Sequence, residues 1–348
     1  MITPRPAVLK MAPYHPPSGG RAGKLRLDFN ENTVGCSPKV AEYLRDVLTQ
    51  PLLAVYPEYE ETRPALATFF GVQPDQLLLS NGTDEAIQVL INTYVDDDDE
   101  VLTLTPSYAM YRFYAELAGA RVCEVAYEAR TLAFPVDRFI GEIRSSTRAI
   151  LVANPNNPTG GGIGLDVVER ILQAAPGAAV LIDEAYYEFC GRTALPLISK
   201  YSNLFVSRTF SKAYGMAAMR MGCLMSEAAN MVHLRKAQSP FSVNLLAALA
   251  ARVAVSDTEY VNGFVAEAIA SREMLYGFFD GLGIHYWRSE ANFVLFEAGD
   301  RAVAVRDELR RRGVLVRDRS YDLPGAVRVT VGRQEQTERF MREMREIW

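Results

Sequence analysis

The sequence predicts an α/β protein: a large domain built on a mostly parallel sheet covered on both faces, followed by a smaller α+β domain. Two observations predict this fold. Short apolar runs alternate with helical patterns through the middle of the chain, and the pattern changes after about residue 240. Apolar runs of this kind between helices are typical of strands buried on both faces. The length agrees, because 348 residues suit one large domain and a smaller one.

The expected elements follow in order along the chain. Residues 1–37 form an arm, because Pro and Gly are frequent up to about residue 30 and no helical or strand period is present. The large domain covers 38–240. The small domain covers 241–348, where a long helix over 258–282 precedes short strands and a final helix ending at Trp348. The predicted strands are 76–79, 101–104, 149–153, 180–182, 204–207 and 223–225 in the large domain and 292–296, 314–317 and 327–331 in the small domain.

Composition and charge exclude several function classes. The net charge of -5 gives no basic field for nucleic acid or an anionic membrane surface. The cysteines and histidines are scattered without a Cys-x-x-Cys pair, so neither a metal site nor a disulfide framework is expected. No signal peptide or continuous apolar span is present, which predicts a cytoplasmic protein. The acidic run 96–100 is expected to be a solvated turn.

Polar motifs follow five of the predicted strands. In a parallel sheet, ligands gather just beyond the carboxyl ends of the strands, so these five loops predict one ligand site at one edge of the sheet. A nicotinamide dehydrogenase is set aside, because the first loop has one glycine where the dinucleotide-binding fold has three. The motifs are Gly82-Thr-Asp84, Thr105-Pro-Ser-Tyr108, Asn154-Pro-Asn-Asn-Pro-Thr-Gly160, Asp183-Glu-Ala-Tyr186 and Thr209-Phe-Ser-Lys212.

Lys212 and Asp183 carry the strongest chemical signal. Lys212 lies close in sequence to Thr209, Ser211 and Arg220, all of which are residue types that bind phosphate oxygens. The alternative is an ordinary surface lysine, but a buried lysine near cations has the lowered pKa that imine formation with an aldehyde needs. Asp183 ends an apolar run and could cap a helix. A buried carboxylate there could instead hold a pyridine nitrogen protonated.

Four of the loops supply further candidate contacts to the same ligand. Tyr186 and Asn157 each offer a donor to a phenolic oxygen. Tyr186 could instead be a core tyrosine, and Asn157 could simply be part of a rigid turn. Thr83 and Asp84 begin a helix, whose free N–H groups bind anions, while the Asp84 side chain could cap that helix. Tyr108 offers a flat face for stacking on a ring.

Further segments resemble those of a known family. They occur in the same order as in the family, and the similarity covers nearly the whole chain. The chain resembles the class I and II aminotransferases of pyridoxal-phosphate fold type I, and most closely the histidinol-phosphate aminotransferases. The resemblance implies pyridoxal 5'-phosphate as the cofactor and a homodimer with shared sites. The segments are Asn30-Glu-Asn32, Tyr56-Pro-Glu58, Pro240-Phe-Ser-Val-Asn244, Ser289-Glu-Ala-Asn-Phe293, Gly313-Val-Leu-Val-Arg317 and Val327-Arg-Val-Thr-Val-Gly332.

The resemblance also implies roles for the cofactor-binding residues. Lys212 carries the cofactor as an imine and then moves a proton, and Asp183 binds the pyridine nitrogen. Asn157 and Tyr186 bind the phenolic oxygen, and Tyr108 stacks on the ring. The residues implied to bind the cofactor phosphate are Thr83, Asp84, Thr209, Ser211, Arg220 and, from the neighbouring subunit, Tyr56.

Substrate contacts are implied for four more residues. Arg328 matches the arginine that clamps the substrate α-carboxylate, although a surface strand arginine is the alternative. Arg317 matches the arginine that binds the phosphate of histidinol phosphate, and Tyr14 of the arm closes over the same end of the substrate. Asn32 is also expected to bind the substrate. The family's usual Asn-Glu-Asn-Pro ends in Thr33 here, and the loop between Arg317 and Arg328 is short.

The expected reaction is transamination between histidinol phosphate and 2-oxoglutarate, giving imidazole-acetol phosphate and glutamate in histidine biosynthesis. An aromatic amino-acid aminotransferase would use the same Arg328 clamp, and a lyase of the threonine-phosphate decarboxylase type shares the scaffold. Sequence leaves these open, because the orientation of the broken bond relative to the ring decides between transamination and decarboxylation. A regulatory effector domain is disfavoured, since the arm before residue 38 is too short for a DNA-binding domain.

Overall fold

The computed structural model describes residues 2–12 and 19–348. The strands are β1 Leu25–Arg26, β2 Leu77–Asn81, β3 Glu100–Thr105, β4 Arg121–Ala126, β5 Thr147–Ala153, β6 Ala179–Asp183, β7 Leu204–Thr209, β8 Met221–Met225, β9 Tyr286–Trp287, β10 Phe293–Glu297, β11 Val314–Leu315, β12 Arg317–Asp318 and β13 Ala326–Thr330. The α-helices are α1 Pro6–Lys10, α2 Pro38–Val47, α3 Gln50–Leu53, α4 Thr62–Phe70, α5 Gly82–Tyr94, α6 Ala109–Ala118, α7 Val136–Gly141, α8 Leu165–Ala174, α9 Tyr187–Cys190, α10 Ala228–Ala237, α11 Leu245–Ser256, α12 Thr258–Leu282, α13 Ala302–Arg311 and α14 Gln334–Arg345.

A seven-stranded sheet with the order β2-β8-β7-β6-β5-β3-β4 forms the centre of the molecule. Only β8 within it runs antiparallel to its neighbours. Alternate residues of each central strand enter two apolar layers: in β6, Val180 and Ile182 pack into one layer and Leu181 into the other. Because both faces of these strands are buried, they have the continuous apolar sequence expected of a covered sheet. The predicted mostly parallel, doubly covered sheet is confirmed.

The edge strand β4 is the strand of this sheet that the sequence did not predict. It pairs with β3 alone, and several of its side chains are exposed or half-buried. Its polar and apolar residues therefore mix, and it lacks the apolar run by which the inner strands were recognised. This is the ordinary consequence of an edge position, where one side of the strand faces solvent.

The second, smaller sheet is antiparallel and has the order β12-β13-β10-β9. Helix α12 has the predicted bounds. The predicted strand 314–317 is two strands, because β11 pairs with β1 whereas β12 pairs with β13. An α+β lobe after the large sheet is therefore present, and the boundaries at 37/38 and 240/241 stay a prediction. No helix in the described ranges is long and apolar enough to cross a membrane.

The arm contains more regular structure than the sequence predicted. Pro6 begins the short helix α1, and the Arg5 guanidinium donates to the carbonyl oxygen of Leu117 at the end of α6. Further along, β1 pairs in parallel with β11, and the Leu27 carbonyl oxygen accepts from the Thr330 amide at 2.9 Å. The local sequence could not indicate this strand, because its partner lies almost three hundred residues away. Residues 25–30 thus join the C-terminal lobe.

Candidate active site

One cavity of about 680 Å³ lies where the five predicted loops meet. Strands β2, β3, β5, β6 and β7 run in the same direction, so their carboxyl ends lie at one edge of the sheet. The C-terminal lobe closes the opposite wall with residues from β12 to β13. The predicted residues that line the cavity are Thr83, Asp84, Tyr108, Asn157, Asp183, Tyr186, Thr209, Ser211, Lys212, Arg220, Arg317 and Arg328.

Lys212 lies three residues after the end of β7, beside the segment that follows β1. Its amine donates to the Phe29 carbonyl oxygen at 3.1 Å and lies 5.8 Å from the centre of the Tyr186 ring. Burial lowers the pKa of Lys212 to about 8, and the charges of Arg328 and Arg220 act in the same direction. An amine with this pKa is partly neutral near physiological pH, so it can attack a carbonyl carbon or take up a proton.

Asp183 is the last residue of β6 and is 3% exposed. Its two carboxylate oxygens accept from Ser207 at 2.7 Å and from the Tyr111 hydroxyl at 2.8 Å. Ser207 is in place because it is the β7 residue paired with Asp183 in the sheet register. Burial raises the pKa of Asp183. A buried carboxylate whose described partners are both neutral is stabilised by a cation, such as a protonated ring nitrogen.

Tyr186 and Asn157 each have a donor with no acceptor among the residues that the structure describes. The Tyr186 hydroxyl accepts from Asn30 Nδ2 at 2.9 Å, which leaves its own proton available to another acceptor. Asn157 Oδ1 accepts from Arg328 Nη1, so the amide nitrogen of Asn157 is the atom left to donate. Both residues line the same cavity, where two such donors can serve one anionic oxygen.

The N-terminus of α5 and Arg220 form a cationic corner of the cavity. Arg220 Nη2 lies 3.0 Å from Asp84 Oδ2, and Tyr108 donates to Asp84 Oδ1 at 2.7 Å. The Asp84 side chain therefore does not cap its helix, and the Asn81 amide is bound instead by Glu85 at 2.7 Å. A Cβ at Gly82 would lie 2.6 Å from Arg220 Nη2, so glycine allows the guanidinium to approach the first turn. Free N–H groups beside a guanidinium suit a phosphate.

Arg328 and Arg317 lie at the other end of the cavity. They are directly opposite each other on β13 and β12. Arg328 is 4% exposed, its Nη2 donates to the Asp28 carbonyl oxygen at 2.6 Å, and among the described residues no carboxylate lies within ion-pair distance of it. Burial lowers the pKa of Arg328 to about 10, and Arg319 and Arg317 act in the same direction. Like charges opposite each other on paired strands are unfavourable unless an anion joins them.

Several cavity residues were not predicted. Arg319 follows Arg317 by two positions, and the alternation of side chains in an extended segment was the signal that could have indicated it. Asn30 belongs to a quoted motif, but its contact with Tyr186 depends on the fold. The other unpredicted polar or aromatic residues lining the cavity are Phe29, Glu31, Ser107, Tyr321 and Asp322.

Two predicted site residues that the structure describes, Asn32 and Tyr56, do not line this cavity. The Asn32 amide donates to the Ala213 carbonyl oxygen at 2.9 Å, and its oxygen accepts from the amides of Val34 and Gly35. These bonds occupy Asn32 in shaping a turn, and Asn30 rather than Asn32 lines the cavity, so the substrate contact of Asn32 stays a prediction. Tyr56 is 76% exposed and lies outside the cavity. Tyr14 lies outside the described residues.

The residues present fit the cofactor that the sequence resemblance implies. Pyridoxal phosphate combines a phosphate, a pyridine nitrogen, a phenolic oxygen and an aldehyde. The cavity offers a cationic corner at Arg220, the buried carboxylate of Asp183, the donors of Tyr186 and Asn157, and the amine of Lys212. These protein groups match the four groups of the cofactor one to one. The end of the cavity that contains Arg317 and Arg328, the arginine end, remains for a second, anionic molecule.

Comparison with known proteins gives a consistent family relationship. The model of the family aminotransferase class I and II matches residues 22–344. A histidinol-phosphate aminotransferase of Symbiobacterium thermophilum is 37% identical, covering 99% of this chain and 98% of its own. That of Thermococcus gammatolerans is 34% identical over 93% and 92%. The structure of the Sinorhizobium meliloti enzyme in complex with pyridoxal-5'-phosphate has a TM-score of 0.87 at 23% identity, covering 99% and 98%, and this likeness supports the fold.

Proposed function

The chain belongs to the class I and II aminotransferases, a family of pyridoxal-phosphate enzymes, and from this premise we propose that it acts on histidinol phosphate. The reaction transfers the amino group to 2-oxoglutarate and yields imidazole-acetol phosphate and glutamate. Relatives named for this activity match almost the whole chain. The observation that carries the proposal is the facing pair Arg317 and Arg328, neither of which has a carboxylate partner among the described residues.

The proposed chemistry divides between the cofactor and the protein. Pyridoxal phosphate, when bound, would serve as an electron sink that stabilises negative charge developing at the Cα of the amino donor. Lys212 is assigned the proton transfer at that carbon, which its pKa of about 8 supports. Asp183 would keep the ring nitrogen protonated, and Tyr186 and Asn157 would donate to the phenolic oxygen.

We assign the remaining cavity residues of the large sheet to the cofactor phosphate and ring. The N–H groups of Thr83 and Asp84 at the start of α5 and the Arg220 guanidinium bind the phosphate. Tyr108, which is held by its bond to Asp84, would offer its ring for stacking. The hydroxyls of Thr209 and Ser211, both lining the cavity, complete the phosphate site.

The arginine end accounts for both half-reactions. Histidinol phosphate has a phosphate ester where an amino acid has its α-carboxylate, whereas 2-oxoglutarate and glutamate have two carboxylates. Two guanidinium groups with no carboxylate partner among the described residues can bind either kind of anion in turn, and the planar fork of Arg328 matches a carboxylate or phosphate in two-point contact. The same site therefore serves two different molecules.

We further propose a homodimer in which each subunit contributes Tyr56 to the partner's phosphate site. Tyr56 is exposed in the single chain and stacks on Phe241 at 4.7 Å. The nearby Leu53 and Val55 are also exposed. A contiguous group of exposed apolar side chains favours burial against another subunit. The cytoplasmic location stays a prediction.

An amino-donor panel tests the proposed substrate. Holoenzyme is mixed with histidinol phosphate, phenylalanine, tyrosine or threonine phosphate, and the half-reaction is followed by the absorbance of the bound cofactor. We expect histidinol phosphate to have the highest kcat/KM. Faster turnover of phenylalanine would identify an aromatic aminotransferase instead, and release of carbon dioxide without consumption of a 2-oxo acid would identify a lyase.

A further inference from the structure

A third guanidinium, that of Arg319, lies at the arginine end of the cavity. Its backbone amide donates to the Ala326 carbonyl oxygen at 2.9 Å, which continues the pairing of β12 with β13. Its side chain is buried and forms an ion pair with Asp322. The Tyr321 ring lies 4.9 Å from the Arg319 guanidinium and 5.9 Å from that of Arg317. Arg317 and Arg319 therefore flank one ring on the same wall.

Positive charge remains in excess at this end after the internal ion pairs are taken into account. Arg317, Arg319 and Arg328 line the wall together with one carboxylate, that of Asp322. Glu31 also lines the cavity, but Arg21 from the arm lies 2.6 Å from its carboxylate. Bringing guanidinium groups together in a partly buried space is unfavourable unless anions offset them.

The excess positive charge at the arginine end favours some classes of substrate over others. A monocarboxylate offsets one of the positive charges. A phosphate monoester has a charge of about -1.5 to -2 near neutral pH, and a dicarboxylate likewise presents two charges. We propose that Arg319 is a specificity-determining residue that favours substrates presenting two negative charges to this end of the cavity over monocarboxylate amino acids. The inference rests on the proposed transamination, because its main readout is the choice among amino donors.

The test compares Arg319→Gln with Arg311→Gln in the holoenzyme. Arg311 is an exposed arginine of α13 outside the cavity, so its replacement removes the same charge elsewhere. We expect Arg319→Gln to lower the ratio of kcat/KM for glutamate to kcat/KM for phenylalanine by about tenfold, mainly through KM. The same fall is expected for histidinol phosphate relative to phenylalanine. Arg319→Lys should restore most of the ratio, and Arg311→Gln should not change it.

Replacing Asp322, the ion-pair partner of Arg319, distinguishes a role of Arg319 in substrate specificity from a role in stabilising the loop. Asp322→Asn breaks the same ion pair but retains the guanidinium, so the ratio should stay at or above that of the wild type. If Arg319 only stabilised the loop between β12 and β13, the two variants would change the ratio alike. Equal falls in both variants, or an unchanged ratio in Arg319→Gln, would overturn the inference.

Failure of the proposed substrate can be told apart from failure of this inference. If the wild type uses glutamate and phenylalanine but not histidinol phosphate, the proposed function is wrong, and the glutamate ratio still tests Arg319. If no donor reacts, binding of inorganic phosphate to the holoenzyme is measured by its effect on Tm. We expect about tenfold weaker phosphate binding in Arg319→Gln than in Arg311→Gln. Equal binding by the two variants would overturn the role of Arg319.

Discussion

The two ends of the cavity differ in how their charges are balanced. At the end formed by the large sheet, Asp84 is paired with Arg220, and Asp183 accepts from two neutral hydroxyls. At the end formed by the C-terminal lobe, Arg317 and Arg328 face each other without a carboxylate partner among the described residues. The first arrangement suits one permanent ligand with distinct groups at fixed positions. The second suits different anions that enter and leave.

Substitutions at the two ends of the cavity should therefore have different effects. Changes at the cofactor end should impair every substrate alike, because each half-reaction passes through the same residues. Changes at the arginine end should alter the preference among substrates.

Lys212→Ala should have the largest effect. Removal of the amine to which we assign the proton transfer should lower turnover by about 10⁴-fold with every donor. Single-turnover absorbance measures the loss, and far-ultraviolet circular dichroism should match the wild type. Lys236→Ala, at an exposed position of α10, is the matched control and should retain full activity. Substantial turnover in Lys212→Ala would refute the assigned mechanism.

Asp183→Asn should come next, with kcat lowered by about 10² to 10³ for all donors. The amide keeps the shape of the side chain but not the negative charge, and loss of one partner of a buried charge pair costs about 3–5 kcal/mol. Tyr111→Phe is the comparison variant, because it removes one hydrogen bond to the same carboxylate and should cost about tenfold. If the two variants were equally impaired, the charge of Asp183 would not be what matters.

Arg317→Gln should have a smaller and selective effect. It should lower kcat/KM for histidinol phosphate by about tenfold to thirtyfold, because the proposed charged contact to the phosphate would be lost. Phenylalanine should be affected less. Arg342→Gln, at an exposed position of α14, controls for the change in net charge. A uniform loss across donors would remove the distinction between the two ends.

The smallest expected effect concerns pH. Since the pKa of Lys212 is lowered to about 8, its amine is protonated below that pH and neutral above it. The rate at which cofactor-free protein takes up pyridoxal phosphate should therefore rise roughly tenfold between about pH 7 and about pH 9 and then level off. Absorbance measures this rate. A free lysine side chain, used as reference, should continue to accelerate to higher pH. A protein profile that follows the free lysine would contradict the lowered pKa.

The cofactor end was largely predictable because its residues follow buried strands. Lys212 and Asp183 lie at or just after continuous apolar runs, and a parallel sheet brings the ends of such runs together. Their supporting contacts were harder to predict. Ser207 lies beside Asp183 because of the register between two strands, and short apolar strands do not specify that register in sequence.

The arginine end was predicted less completely. The resemblance indicated Arg317 and Arg328, but Arg319 has no counterpart among the quoted motifs and is indicated only by alternation along a strand. Asn32 was expected at the substrate, whereas Asn30 lines the cavity. The local reason is that Asn30 adopts a left-handed backbone conformation with φ of 55°, which turns the chain and directs Asn32 toward Ala213. Sequence patterns alone do not reveal such a turn.

The pairing of β1 with β11 bears on how the protein is made in the cell. Phe29 and Asp28, which accept from Lys212 and Arg328, are held by a strand whose partner is synthesised much later. Asn30 bonds to Thr330, 300 residues further along. Domains generally begin to fold during translation, yet this segment has to wait for its partners to leave the ribosome. A nascent chain truncated before residue 314 could contain the large sheet and every cofactor motif and still lack the strand that positions these carbonyl groups.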